Sequence, residues 1–257
     1  MAKVWLALTG ILVGTLCAAA LAAPSARVVK IASDDWCPYI CADHNKIVGG
    51  FLVDLTEQAL ALQQYELKSV FLPLNRAMIM AEEGLIDGVY APALDNRLRL
   101  SKPMAYSRAC FYTLKDNEWQ YHDLKSLHDV TIGVIADYGY DGGPFDRLLA
   151  APTSHGVLFD FNKGQTAGET NLSKLLTKRY PVMLEHQAVM DHLTDRLGVS
   201  SQIRKAGCLE QPLMLVIGIA KRNPAASNLI RAIDTGLDQL KASGQLDPLK
   251  KKYRLEE

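Results

Sequence analysis

Two successive runs of alternating strand-like and helix-like segments constrain this 257-residue chain more than any other feature. "RVVKIASD" is a β-branched run ending in turn residues, which reads as a strand. "GFLVDLTEQALALQQ" places Leu52, Leu55, Ala59 and Leu62 at helical spacing. "YELKSVFLP" reads as a strand, "NRAMIMAEEGL" as a helix from about Asn75 closed by Gly84, and "IDGVYAP" as a short strand. The order βαβαβ implies a parallel sheet with helices on its faces. After "LSKPMAYSRACFYTLKD" the pattern restarts. "VTIGVIADYGY", "GVLFDF" and "YPVMLE" read as strands, alternating with the helices "GPFDRLLAA", "ETNLSKLLTKR" and "HQAVMDHLTDRL". "PLMLVIGIAKR" is a further strand, and "NLIRAIDTGLDQLKASGQLDPLKKKY" reads as helical to the end. The expectation is an α/β protein of two units, with the chain crossing out of the first and returning to it. No short fixed repeat and no low-complexity linker interrupts it.

Composition excludes some functions. The 28 basic and 28 acidic residues balance, which gives no support to a nucleic-acid partner, whose binding needs a clustered basic surface. The first segment, "MAKVWLALTGILVGTLCAAALAAPSA", carries Lys3, an apolar run and Ala20-Leu21-Ala22, the pattern of a signal peptide cut after Ala22. An uncleaved anchor is the rival reading, since Val4 to Ala23 is nearly long enough to span a bilayer. Leu16 stands where a lipoprotein signal would want a small residue before Cys17. Cleavage gives an exported, periplasmic protein with four cysteines, Cys37, Cys41, Cys110 and Cys208. An even number in an oxidising compartment suggests disulfides, with three connectivities open. A zinc site is the rival, but there is no C-x-x-C pair and no histidine at ligand spacing. Glu185, His186 and His192 form no H-E-x-x-H and are expected on a solvated helix face. No metal or cofactor is expected.

Ligands of parallel α/β sheets bind at the carboxyl ends of strands, where Trp36, Tyr90 and Asp137-Tyr138 stand. Four blocks in order carry a resemblance: "VKIASDDWCPYICADHNKIVGGFLVDLTEQAL", "RAMIMAEEGLIDGVYAPALDNRLRLSKPMAYS", "DLKSLHDVTIGVIADYGY" and "NPAASNLIRAIDTGLDQLKASGQLDPLKKKY". Together they resemble the periplasmic (extracellular) solute-binding proteins of family 3, the polar amino-acid type, over nearly the whole mature chain. The resemblance implies a two-lobed type II periplasmic binding protein-like fold. Each lobe would be a mostly parallel sheet flanked by helices, joined by two hinge strands and closing on a ligand. Residues 27–108 plus 216–257 would form lobe 1 and residues 109–215 lobe 2, with hinges around Tyr106–Ala109 and Met214–Ile217. The partners implied are a small-molecule ligand and the membrane component of an ABC transporter, and the protein is expected to be a monomer without catalysis.

The same resemblance assigns roles. An aromatic at Trp36 would cover the ligand with a flat face that loses little rotamer freedom. Arg97 would grip a carboxylate with its bidentate fork, and Glu185 would pair with an amino group. Trp36 could instead pack in a lobe core, Arg97 could be solvated like neighbouring Arg99, and Glu185 could serve the helix dipole. Arg76, a cation opposing the dipole in a helix first turn, is expected to have a partner in the ligand or in the opposite lobe, with structural pairing favoured over ligand contact. The sequence departs from the amino-acid pattern at Tyr90-Ala91-Pro92-Ala93-Leu94 and Asp137-Tyr138-Gly139-Tyr140. Tyrosines and apolar groups there replace hydroxyl donors, so Tyr90, Tyr138 and Tyr140 join the expected ligand-binding set. The ligand expected is partly aromatic or apolar with one anionic group. Two alternatives share the fold: a dehydratase of the cyclohexadienyl type with Glu185 or Asp137 as acid, and a ligand sensor docking to a membrane partner. The expected disulfides are Cys37–Cys41 across Pro38, stiffening the Trp36 loop, and Cys110–Cys208, near the crossing strands.

Overall fold

The computed structural model describes Met1 and residues 26–255 apart from 94, 152–155 and 165. The expected leader and its cleavage point lie outside the described residues. The chain runs through strand β1 (Arg27–Ser33), a hairpin of β2 (Cys41–Asp43) and β3 (Lys46–Gly49), helix α1 (Phe51–Ala61), β4 (Tyr65–Phe71), α2 (Leu74–Glu82), β5 (Gly88–Tyr90) and β6 (Leu98–Leu100). It then crosses through β7 (Ala105–Ser107) into β8 (Ala109–Leu114), β9 (Thr131–Ile135), α3 (Pro144–Ala150), β10 (Leu158–Asn162), α4 (Ala167–Leu176), β11 (Val182–His186), α5 (Gln187–Leu197) and β12 (Ile203–Cys208). It returns through β13 (Leu213–Leu215) to β14 (Ile217–Ala220), α6 (Ala226–Ala242) and α7 (Leu246–Lys252).

Two five-stranded sheets result, ordered β4-β1-β5-β14-β6 and β10-β9-β11-β8-β12. In each, three strands are parallel, as the βαβαβ order requires, and the last two join antiparallel. Helices cover both faces, so the central strands are apolar throughout rather than alternating. The first sheet is packed on one face by α1 and α6 and on the other by α2. The second has Phe111, Ile132, Val134 and Phe145 on one face and Cys110, Leu172, Met183 and Leu193 on the other. The crossing segments β7 and β13 pair with each other as a separate antiparallel ladder, Met214 opposite Tyr106.

Side-chain spacing explains the helices. Helix α6 buries Leu229, Ile233, Leu237 and Leu240 in one stripe, each worth about 1.5–3 kcal/mol when fully withdrawn from water. Its Gly236 lies against α1, where a Cβ would strike the Ala59 carbonyl. A side chain there would force the two helices apart.

The structure differs from the sequence reading in several places, and β6 and β12 are strands that reading lacks. "PLMLVIGIAKR" is two strands, because Leu213–Leu215 pairs with β7 and Ile217–Ala220 joins the first sheet. The final helical run is divided at Gly244, whose φ of +71° ends α6. The β2–β3 hairpin, absent from the sequence reading, turns through His44 and Asn45 at φ of 45° and 61°. An asparagine adapts well to such a turn.

Candidate functional site

The strand-end loops expected to carry binding come from different sheets, and three of them meet. The first follows β1. The Trp36 N–H donates to the Ile40 carbonyl at 2.7 Å, and the Tyr39 and Ile40 amides donate back to the Trp36 carbonyl. Asp35 accepts the Ala42 N–H at 2.9 Å, and Cys37 is bonded to Cys41. Backbone bonds and a covalent staple together fix the direction in which the Trp36 ring projects. The second loop follows β9. Tyr140 is fully buried there: its hydroxyl accepts the Ile135 N–H at 2.8 Å, and its own N–H donates to Asp146 at 2.9 Å. Those anchors set Tyr138, two residues earlier, at the lobe surface. The third is the junction of β11 and α5, where Glu185 and His186 are both fully buried.

At the meeting face the Trp36 ring lies 4.8 Å from Tyr39 of its own lobe, 6.2 Å from Tyr138 and 5.0 Å from His186. The latter two contacts are edge-on, at 82° and 86°, an arrangement that aromatic quadrupoles favour. His186 stacks in turn on Tyr140. Its Nε2 is 3.1 Å from the Gly139 carbonyl, which can only accept, so that nitrogen carries the proton. Burial pushes the imidazole down to about 4, against the carbonyls of Gly139 and Ser107. His186 is therefore neutral near pH 7.

The acids behave oppositely. Burial pushes the Glu185 carboxyl up to about 7, helped by the Asp34 charge and opposed by the His186 N–H and the Trp36 indole. Glu185 Oε1 accepts that N–H at 2.8 Å, whereas Oε2 is buried without a partner. The Trp36 indole N–H lies near enough to favour the charged carboxylate but makes no well-aligned hydrogen bond to it. Asp34 is likewise raised, to about 6, chiefly by burial and against hydrogen bonds from its own and the Leu74 amide and from Ser33. Ser107 Oγ and His186 Nδ1 are further buried polar atoms without a partner. A buried polar atom left unpaired costs about 1–3 kcal/mol, and Glu185 Oε2, Ser107 Oγ and His186 Nδ1 are three such atoms at this interface.

Trp36, Tyr138 and Glu185 of the expected set gather here, with Tyr140 stacked behind His186. Tyr90 is buried in the first sheet, its hydroxyl 2.7 Å from Ser69 Oγ. Arg97 is engaged elsewhere: its guanidinium forks over Asp95, at 3.0 and 2.6 Å, and meets Glu82 at 2.8 Å, half exposed. Glu185 is not a helix cap, since it lies one residue inside the strand before the cap position. The solvated face expected for Glu185, His186 and His192 is corrected for the first two, which are fully buried. Helical spacing was the wrong ruler, because these two end a strand. Asp34 and His186 were the residues missed. Their signal was an ionisable pair set directly after an apolar strand, as in "IASDD" and "PVMLEH". Among the described residues no group of three or more metal-ligating side chains forms, and no helix is long and apolar enough to cross a membrane.

Comparison with known proteins agrees with this fold. Residues 29–256 match the sequence profile of the bacterial extracellular solute-binding proteins, family 3. No curated protein sequence matches closely enough to count as a relative. Among solved structures, the chain is similar to an ancestral arginine-binding protein bound to arginine, at 17% identity over 89% of this chain and 99% of that one, TM-score 0.73. It is similar to an amino-acid ABC-transporter substrate-binding protein from Streptococcus pneumoniae bound to L-arginine, at 14% identity over 88% and 94%, TM-score 0.69. It is also similar to a histidine kinase sensor domain resembling periplasmic binding proteins, at 13% identity over 89% and 96%, TM-score 0.75. Identities this low establish a common fold.

Proposed function

Because the chain belongs to the bacterial extracellular solute-binding proteins of family 3, we propose that it captures a small solute between its two lobes and presents it to an ABC transporter. One observation carries the reading. Trp36, projecting from the end of a first-sheet strand, packs on Tyr138 and His186 of the second sheet, beside a buried carboxyl with a free oxygen. A solute held there touches both lobes. The lobes, residues 27–108 with 216–257 and residues 109–215, rotate about β7 and β13 in the periplasm, and the protein works as a monomer. Screening amino acids, amines and small carboxylates by thermal shift tests it. A solute at a hundred times its dissociation constant should stabilise the protein by about 2.7 kcal/mol. Trp36→Ala should abolish that shift, and a solute that still stabilises the variant equally well would place the binding site elsewhere.

A second reading has one observation in its favour. A cleft carboxyl poised near neutrality, like that of Glu185, is what a general acid needs. A dehydratase of the cyclohexadienyl type, however, acts on acidic substrates, and Asp34, Asp35 and Glu185 would repel them. Product formation from such an acid decides between the two. The likeness to a sensor domain supports a receptor that docks to a signalling partner through the same ligand-driven closure.

A further inference from the structure

A groove in the unit built on the second sheet takes no part in the face where the lobes meet. We infer that it is a second binding site, for an amphipathic carboxylate: an apolar chain with one acid end. The groove runs between the helical turn Leu124–Leu127, which precedes β9, and helix α3, and holds about 670 Å³. Small-molecule sites span about 300–1,000 Å³. Val157 directly precedes β10, and the Leu124–Leu127 turn lies before β9, so the strand side of the groove is at the amino ends of two parallel strands. Trp36 and Tyr138 meet beyond the carboxyl ends of β1 and β9. That side of the groove is thus at the opposite end of the sheet from the meeting face.

The floor is apolar. Leu148 and Val157 are buried in the core cluster of this unit, Leu124 packs against it, and Pro144 continues the wall at the start of α3. Hydrocarbon laid on such a floor gains up to about fourfold in affinity for each methylene withdrawn from water.

The rim is basic. Lys125 comes from one wall and Arg147 from the other, and both are exposed. Among the described residues neither forms an ion pair, and none of those lining the groove is acidic. The acids nearest to them in sequence are turned to backbone amides. Asp123 accepts the N–H groups of Lys125 and Ser126 at 2.9 and 3.1 Å. Asp146 accepts those of Tyr140 and Gly142 at 2.9 and 2.8 Å, and Asp141 those of Gly143 and Phe145 at 2.7 and 2.9 Å. Asp129 is held by His128, at 2.7 Å from its Nδ1. Lys125 and Arg147 are therefore open to an anion from solution.

Two cations above an apolar floor complement a molecule with a carboxylate at one end and hydrocarbon behind it. The guanidinium of Arg147 offers that carboxylate a bidentate fork. A small hydrophilic anion would leave the floor uncovered, and an apolar cation would meet like charge. Every lining residue belongs to one lobe, so closure neither makes nor breaks the site. Its ligand has no differential affinity for the open and closed forms and leaves their balance unchanged.

The experiment is isothermal titration calorimetry of the protein with decanoate, decyltrimethylammonium and acetate, the two amphiphiles kept below their micelle-forming concentrations. Decanoate should bind saturably, one to a chain. Decyltrimethylammonium should bind about tenfold or more weakly, and acetate should not bind. Lys125→Gln combined with Arg147→Gln should weaken decanoate by about tenfold, the sum of two solvent-screened charges, with the melting point unchanged. Lys125→Glu combined with Arg147→Glu should reverse the preference toward decyltrimethylammonium. Decanoate should still bind to Trp36→Ala. Decanoate uptake without saturation, or equal binding to the double glutamine variant, overturns the inference. Loss of decanoate binding in Trp36→Ala overturns it too, since the carboxylate then occupies the cleft, and it supports the solute-binding reading. Phosphatidylglycerol vesicles that retain the wild type but not the double glutamine variant, with no binding of free decanoate, would make the groove a membrane contact and overturn it. Failure of all three probes overturns it and leaves the solute-binding reading standing, because that reading rests on the other end of the sheet.

Discussion

Glu185 is a buried acid whose surroundings favour its neutral form, and that fixes how the unliganded protein responds to pH. Its folded carboxyl titrates near 7 instead of the ordinary 4.5. Between those values the folded state holds a proton that the unfolded state has released, so this contribution is present below about 4.5 and is lost as pH rises through 7. At 1.36 kcal/mol per unit it amounts to about 3 kcal/mol. Asp34 contributes in the same direction through a window ending near 6. His186 works the other way: its folded value near 4 lies below the ordinary 6.5, so its contribution is present above 6.5 and lost as pH falls toward 4. Comparing melting curves of the wild type and Glu185→Gln isolates the glutamate. The variant should gain stability relative to the wild type as pH rises from about 5 to about 8, by about 3 kcal/mol. A difference independent of pH would mean that Glu185 is solvated. Arg97→Ala should have the opposite profile of consequences from a ligand-gripping arginine: its ion pairs are half exposed and screened by solvent, so the melting point should change little. Calorimetry should find ligand affinity unchanged within about twofold, and a loss of about a hundredfold would return Arg97 to the site.

At the scale of elements, the two disulfides do different jobs. Cys110 of β8 and Cys208 of β12 are bonded at directly opposed register positions, and the residues between them number nearly a hundred. The bond holds an edge strand onto the second sheet and constrains a long loop of the unfolded chain. Cys37 and Cys41 are only 4 apart, and their turn is already closed by backbone hydrogen bonds. Loop-closure entropy grows with the length enclosed. Replacing Cys110 and Cys208 together by alanine should therefore cost about 2–5 kcal/mol in urea unfolding. Replacing Cys37 and Cys41 should cost distinctly less and show itself instead as weaker ligand binding, because it frees the loop that aims Trp36. Equal losses of stability in the two double variants would contradict this division.

For the whole molecule, the decisive feature is that the lobes touch through side chains rather than through a continuous sheet. Val189 of α5 packs in one apolar cluster with Val29 and Ile31 of β1, and Tyr138 bridges the clusters of both lobes. Among the described residues only the β7–β13 ladder joins them by strand pairing, and its Tyr106 and Met214 are exposed. A connection of two short strands is narrower than either five-stranded sheet, and it is the compliant part. Small-angle scattering should show a radius of gyration that falls on adding ligand toward the compact value of about 18 Å for a chain of this length. No change, with binding confirmed by calorimetry, would argue for a rigid pocket.

Much of this protein was legible in the order of its residues. Periodicity gave the two α/β units, because a buried helix face or a parallel strand writes its spacing into the chain whatever surrounds it. The aromatic at the end of β1 and the acid at the end of β11 were visible as the type of residue that strand ends offer to ligands. What periodicity could not give was which strand pairs with which: the break at Val216 exists because its two sides belong to different ladders. Nor could it give the environment of a charge. Arg97 became a surface ion pair and Glu185 and His186 became buried through contacts made by segments far apart in sequence, among them Asp34, about 150 residues before Glu185. Local sequence carries backbone preference, while desolvation and Coulomb interaction depend on what arrives from elsewhere, so the charge of the site was decided by the tertiary structure alone.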